Sequence, residues 1–257
     1  MKKQLYIKWK ILLQVIPIIA VILLIKTIFH HYGLEMMELN ALFTSLVGAT
    51  IFLIGFLISG VLSDYKESEK IPGEITTSLK NILDDSLTLK HHYSEDTFKQ
   101  FIAFQKKLAN NIKSWLYKEI ETSELLTQFD ALNSIIIQLD KEGVQANFLI
   151  RIKNEISTVR KNLLRIEAIR ETNFISSAYA IVESMAFVIS AGLIFIKIEP
   201  FFAALFFTVL VTFLIIYMII LIKDLDDPFD YQANGESGTE ISLDIFNKHL
   251  EYINANY

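Results

Sequence analysis

The chain has 257 residues, 52% of them hydrophobic, and a formal net charge of −5. Its mean hydropathy of +0.39 is too high for a soluble domain of ordinary composition, so membrane insertion is expected. The basic residues are scattered, which excludes a nucleic-acid-binding surface, and the lack of cysteine excludes a disulfide framework and thiolate chemistry.

A basic N-terminus, MKKQLYIKWK, precedes an apolar run from 11 to 29. That run is too long for a signal-peptide core and has no small-residue cleavage site, so a retained first span is expected. Pro17, without an N–H, can kink it, and Tyr6 and Trp9 suit a membrane interface. A turn through HHYGLEMME leads to a second apolar stretch, 39 to 63, with Gly48, Gly55 and Gly60 beside Ser45, Ser59 and Ser63. Small residues let helix backbones approach closely, so this is a packing helix rather than a lipid-facing one. Residues 1–63 make the first transmembrane hairpin.

Residues 64–173 turn amphipathic and predict a helical domain. Phe98, Phe101, Ile102, Gln105, Leu108, Ile112, Trp115 and Leu116 recur at three- and four-residue spacing. A second helix from about Ser123 turns Leu125, Phe129, Leu132, Ile136 and Leu139 inward, with Gly143 as its C′ residue. A third begins near Asn147, and its Leu149, Ile152, Ile156, Val159, Leu163 and Ile166 form a heptad seam. The seam fits either a neighbouring helix or subunit, or one face of an intrasubunit bundle. With no Pro or Gly before the third span, one long helix is expected to run from this domain into the bilayer.

The second hairpin occupies 174–222, with spans at 174 to 196 and 201 to 222 joined by a turn at Lys197–Phe201. At 1.5 Å per residue each apolar stretch can cross a hydrocarbon core about 30 Å thick. The tail, 223–257, carries an acidic segment and then a short helix for which Ser242 is a candidate N-cap. No strand is predicted. Lys2, Lys3, Lys8 and Lys10, with the positive charge between Lys66 and Arg170, outweigh Lys26 and Lys197 in the short connections. The N-terminus, the inserted domain and the C-terminus are therefore expected in the cytoplasm, on a multi-pass protein of the cell (inner) membrane. The fold class is all-α.

Enzyme signatures are missing: no phosphate loop, no H-E-x-x-H, no G-x-S-x-G. His30-His31 and His91-His92 are adjacent pairs whose rings diverge by about 100° on a helix, so exposed histidines are expected rather than a chelate. Glu183, about ten residues into the third span by count of helical rise, must be protonated, paired or facing water. It fits a group lining an aqueous path, or a polar knot with nearby serines or Gln14. On the second helix Phe52 and Phe56 share a face with Ser45, Gly48 and Ser59, and in a ring of subunits that face would stack aromatic bands into an apolar constriction. After the fourth span, Asp224, Asp226, Asp227 and Asp230 surround Pro228, offering hard oxygen ligands for Ca²⁺ or a solvated helix terminus.

These two motifs in this order resemble the bestrophin family and the bestrophin-like membrane proteins grouped with it. Phe52, Gly55, Phe56 and Tyr65 match the family's second span, Ile71-Pro72 resembles a Leu-Pro just beyond it, and Asp227-Pro228-Phe229 matches its acidic-Pro-Phe element. The resemblance implies a homopentameric, ligand-gated ion channel, with Phe52 and Phe56 as neck residues and the aspartates from Asp224 to Asp230 in a cytosolic cation-sensing region. The chain departs from the family at three places. Asp64-Tyr65 stands where a basic-aromatic pair is frequent, Gly48 stands at the first neck position, and Asp230 stands where glycine is usual. An aspartate at the pore mouth favours cations on electrostatic grounds. A non-conducting scaffold whose helical domain binds a partner is the alternative, motivated by the seam from Leu149 to Ile166.

Overall fold

The computed structural model describes residues 2–171, 176–231 and 239–257, leaving aside the side chains of residues 2–8 and 176. Among them the elements run α1 (Lys2–His31), β1 (Met37–Glu38), α2 (Ala41–Ser68), α3 (Ile71–Thr88), α4 (Glu95–Leu116), α5 (Thr122–Lys141), α6 (Ala146–Glu171), α7 (Ser176–Phe195), β2 (Ile196–Lys197), α8 (Phe201–Asp226) and α9 (Asp244–Asn256). The chain divides into two units. A membrane unit takes Met1–Tyr65, Asn173–Asp227 and Glu236–Thr239, and a hydrophilic unit takes Lys66–Thr172, Pro228–Gly235 and Glu240–Tyr257. Within the tail, 223–227 and 239 fall in the membrane unit, and 228–231 and 240–257 in the hydrophilic unit.

In the membrane unit, α1, α2, α7 and α8 are each long and apolar enough to cross a bilayer. Helices α2, α7 and α8 each give one stripe to a shared core and leave the rest outward. Phe43, Ile54, Leu57 and Val61 of α2 meet Val182, Ala186, Ile189 and Leu193 of α7 and Ile215, Ile219 and Ile222 of α8. Helix α1 packs on α7 and α8 through Val15 and Ile19, while Leu13, Val21 and Leu24 lie exposed on its other side. Pro17 lies inside α1, and Trp9 is exposed near its start. The structure adds strands that periodicity could not announce: β1 and β2 pair in parallel, Met37 opposite Ile196 and Glu38 opposite Lys197. Two residues per strand are too few to show a period-2 pattern.

In the hydrophilic unit, α4 starts at Ser94, whose Oγ accepts the Thr97 N–H at 3.2 Å. Glu142 then accepts the Ser94 N–H and the Thr97 hydroxyl, each at 2.6 Å. The hydrogen bond from Thr97, followed by that from the Ser94 N–H, holds the Glu142 carboxyl below the usual range. The predicted inward faces of α4 and α5 are buried except for the half-buried Phe98, and Gly143 ends α5 at φ +87°, where its N–H reaches Asp140 O at 3.0 Å.

The seam on α6 is buried throughout, and its partner is α3, a helix the periodicity analysis did not separate. Ile75, Leu79, Ile82 and Leu83 form the apolar row of α3. Polar contacts fix the register. Arg151 Nε donates to the nearly inaccessible Asp85 at 2.6 Å, and Asn81 donates to Glu155 at 2.9 Å. The intrasubunit alternative for this seam therefore holds.

Helix α9 closes the unit by burying Phe246, His249, Leu250 and Ile253 against α3 and α4. Its N-cap is Leu243, not the expected Ser242, although the Ser242 Oγ accepts the Asp244 N–H at 3.2 Å. The proposed continuous helix from α6 into the third span depends on 172–175, which lie outside the described residues.

Candidate functional site

Helix α2 is capped by Asn40, whose side-chain oxygen accepts the Phe43 N–H at 2.9 Å. From there its two sides diverge. Phe43, Thr50, Ile54, Leu57 and Val61 are buried in the membrane unit, with the Thr50 hydroxyl 3.1 Å from the Met185 sulfur. Ser45, Gly48, Phe52, Phe56 and Ser59 follow at steps of three and four on the other side, and all are exposed. Phe52 and Phe56 are 74% and 71% exposed, unusual for rings on a helix whose opposite side forms core.

The glycines sharpen this. A Cβ added at Gly48 or Gly55 would meet nothing within 4 Å, so none of the described residues needs them to be small. The close approach expected of α2 glycines occurs instead at Gly192 of α7, where an added Cβ would sit 2.4 Å from the Phe43 ring. Among the described residues, then, Gly48 and Gly55 are not the packing device they resemble. Asp64 lies exposed four residues from the end of α2.

Glu183 is neither buried nor tied to Gln14. It forms an ion pair with Lys223, the basic residue of the last turn of α8, and both side chains are about half exposed. Glu183 thus has a charged partner on a neighbouring helix, which lessens the cost of a carboxylate in an apolar span.

The acidic segment is pulled toward several partners. Asp224 accepts the Thr239 hydroxyl at 2.8 Å, Asp226 lies by the Tyr179 hydroxyl, and Asp227 caps α8. Asp230 pairs with Lys118 at 2.5 Å. Among the described residues no three His, Cys, Asp or Glu side chains gather as a metal site. In this arrangement the aspartates do not fit Ca²⁺, which needs six to eight convergent oxygens.

The neutral half of the motif is firmly seated. Phe229 is fully buried, and the Pro228 carbonyl accepts the Ile241 N–H at 3.0 Å. Arg170, near the end of α6, donates to the carbonyls of Leu116 at 2.7 Å, Phe229 at 3.1 Å and Trp115 at 3.3 Å, with its guanidinium 4.7 Å above the Trp115 ring. Sequence reasoning did not single out Arg170. One arginine among several on α6 has no local signature when its partners lie 54 to 59 residues away.

No protein-family model matches the chain, and no curated protein does. Solved structures do match. A crystal structure of a bacterial bestrophin homolog from Klebsiella pneumoniae, a single-residue variant, aligns with a TM-score of 0.70 at 16% identity over 96% of this chain and 98% of that one. Another variant of the same homolog aligns at 0.68 and 16% identity, covering 98% and 100%. A crystal structure of a membrane protein aligns at 0.67 and 15% identity, covering 96% of each chain. At such low identity the agreement extends to architecture, and over nearly its whole length this chain has the all-α, four-span fold of the bestrophin homologs.

Proposed function

We propose that the chain is one subunit of an oligomeric, bestrophin-like ion channel whose neck is formed by the outward face of α2. The observation that carries this is the exposed row Ser45, Gly48, Phe52, Phe56 and Ser59, whose glycine has no neighbour among the described residues to accommodate. With α2, α7 and α8 packed around one core, a pore along the open face of α2 requires several copies around an axis. In such a ring Phe52 and Phe56 supply two apolar bands that shed water when closed, while Ser45 and Ser59 supply hydroxyls on either side. A homopentamer is the assembly that the resemblance of the α2 and Asp227-Pro228-Phe229 motifs to bestrophins implies. Asp64 at the mouth biases the path toward cations. By the lysine distribution the mouth, both termini and the hydrophilic unit lie on the cytoplasmic side of the cell membrane.

The test is ion flux through purified chain in liposomes, together with native mass spectrometry. Five copies and a measurable cation flux, raised by Phe52→Ala and Phe56→Ala, are expected. A monomer, or flux indifferent to both substitutions, rejects the reading. The scaffold alternative loses its original motive because the α6 seam is closed by α3. It retains Ile137, Ile150 and Leu164, exposed on the hydrophilic unit, and absence of flux from an intact oligomer favours it.

A further inference from the structure

The segment that follows α8 is held by cations of the chain's own. Asn173–Asp227 of the membrane unit joins the hydrophilic unit just after the end of α6 and just before Pro228. Arg170 stands at the first junction and Phe229 at the second, and one guanidinium serves both. Its Nη2 donates to the carbonyls of Leu116 and Phe229, and its Nη1 to that of Trp115. Leu116 is the last residue of α4, so the guanidinium also occupies the negative end of that helix. The carbonyls just before it take backbone donors, Ser114 from the Glu119 N–H at 2.9 Å and Trp115 from the Lys118 N–H at 2.9 Å.

Lys118 supplies the second charge. It turns the chain out of α4 at φ +60°, a left-handed conformation that glycine adopts readily and a lysine does not. Its backbone is strained there, yet its ammonium reaches the Asp230 carboxylate at 2.5 Å. The far side of the segment is fixed by neutral bonds. The Pro228 carbonyl accepts the Ile241 N–H at 3.0 Å, and the Tyr231 hydroxyl donates to the Ile241 carbonyl at 2.8 Å.

We propose that Arg170 and Lys118 take the place of a bound divalent cation at Pro228–Tyr231, so that this segment stays on the end of α4 whether or not calcium is present. The bestrophin resemblance implies a cation-sensing region from Asp224 to Asp230, and the residues here do not fit one. Carbonyl and carboxylate oxygens are the ligands that Ca²⁺ takes. In this chain three carbonyls and the Asp230 carboxylate already face a guanidinium and an ammonium. An ion entering among those oxygens meets two positive charges that belong to the fold. The guanidinium adds a planar fork that joins two distant elements, with its face 4.7 Å above the Trp115 ring. Arg170 is thus a positioning residue that gathers both chain connections of the second hairpin and needs no ligand to do so.

The test reads local exchange and not conduction, so its failure and that of the channel reading are separable. Full-length protein in nanodiscs is followed by backbone hydrogen exchange at Tyr231 and Ile241, whose N–H groups donate to Phe229 and Pro228. Wild type is expected to exchange equally fast with a chelator and with about 1 mM Ca²⁺, well above the range of sensor affinities. Arg170→Met, which keeps an apolar stem against Trp115 and loses the charge, is expected to exchange about tenfold faster at both positions, the effect of losing hydrogen bonds to a charged group. Arg170→Lys should recover part of that protection. Lys118→Gly separates the tether from the turn: glycine eases the left-handed conformation, so exchange at Glu119 should hold or slow, while exchange at Tyr231 quickens. The calcium comparison and Lys118→Gly decide the matter even where Arg170→Met does not fold. Wild-type protection that rises with Ca²⁺, an Arg170→Lys no better protected than Arg170→Met, or a Lys118→Gly with Tyr231 unchanged overturns the proposal.

Discussion

Two rows of residues in this chain have the spacing of helix interfaces, and they end in opposite situations. The α6 row from Leu149 to Ile166 is closed, every member buried against α3 and locked by Asp85–Arg151. The α2 row from Ser45 to Ser59 is open, with both phenylalanines more than two thirds exposed. Composition separates them. Large aliphatic side chains at every position need a matching row, and α3 provides one in the same unit. Glycine, serine and two rings meet no matching row among the described residues, which is why the proposed neck calls on further copies of the chain. Periodicity identifies a seam, whereas side-chain size indicates whether the partner is inside or outside the subunit.

Breaking the closed row gives the largest effect. Ile152→Ala removes a fully buried side chain and is expected to destabilise the hydrophilic unit by about 2 to 5 kcal/mol, measured by denaturant unfolding. Next is a tight glycine: Gly192→Ala drives a methyl into the Phe43 ring, at a cost of about 1 to 3 kcal/mol, and Phe43→Leu in the same chain should relieve part of it. Gly48→Ala is the sharpening control. With nothing within 4 Å, the methyl should leave the single chain unharmed or improve α2 by up to about 1 kcal/mol through helix propensity. Any change in subunit number or flux then belongs to the open face.

A smaller effect comes from pH. Burial, and then the charge of Lys80, hold the His249 imidazole below its ordinary range, against the opposing pull of Asp84. The neutral form is thus the one that packs. The stability it lends is complete above the ordinary imidazole range and is lost as pH falls from there toward the depressed value. Acidification should loosen α9, seen as faster exchange at Leu250 and Ile253, and His249→Leu should remove that pH dependence. The smallest is Glu142→Gln. The lowered carboxyl of Glu142 stabilises the start of α4 at neutral pH, a benefit that fades as pH falls through the folded value, so the variant should melt slightly lower only above the acid range.

The four spans were legible because length and apolarity alone satisfy the bilayer, and α4, α5 and α6 were legible because their inward residues keep a strict helical period. Helix α3 was missed because Thr76, Ser78, Asp85 and Ser86 are buried among its apolar residues, and Pro72-Gly73 reads as a break where it is a helix start. The outward row of α2 could be named from sequence, but its exposure could not. That depends on Gly192 accepting Phe43 from the far end of the chain. Arg170 escaped for the same reason, as did the buried ion pair of Lys26 with Glu35 in the membrane unit. A lone cation predicts nothing until carbonyls from distant residues are brought to it, 168 and 170 positions away in the case of Lys26.

The position of α9 has a consequence for how the protein is made. Helices α3 and α4 precede the second hairpin in the sequence, but the helix that covers them follows it. During synthesis the hydrophilic unit therefore waits, with the parts of α3 and α4 that α9 covers left open, until α7 and α8 have been threaded into the bilayer. Its maturation is timed by membrane insertion, so a ribosome stalled before Phe246 leaves a chain with all four spans and an adhesive, unfinished surface for quality control to find.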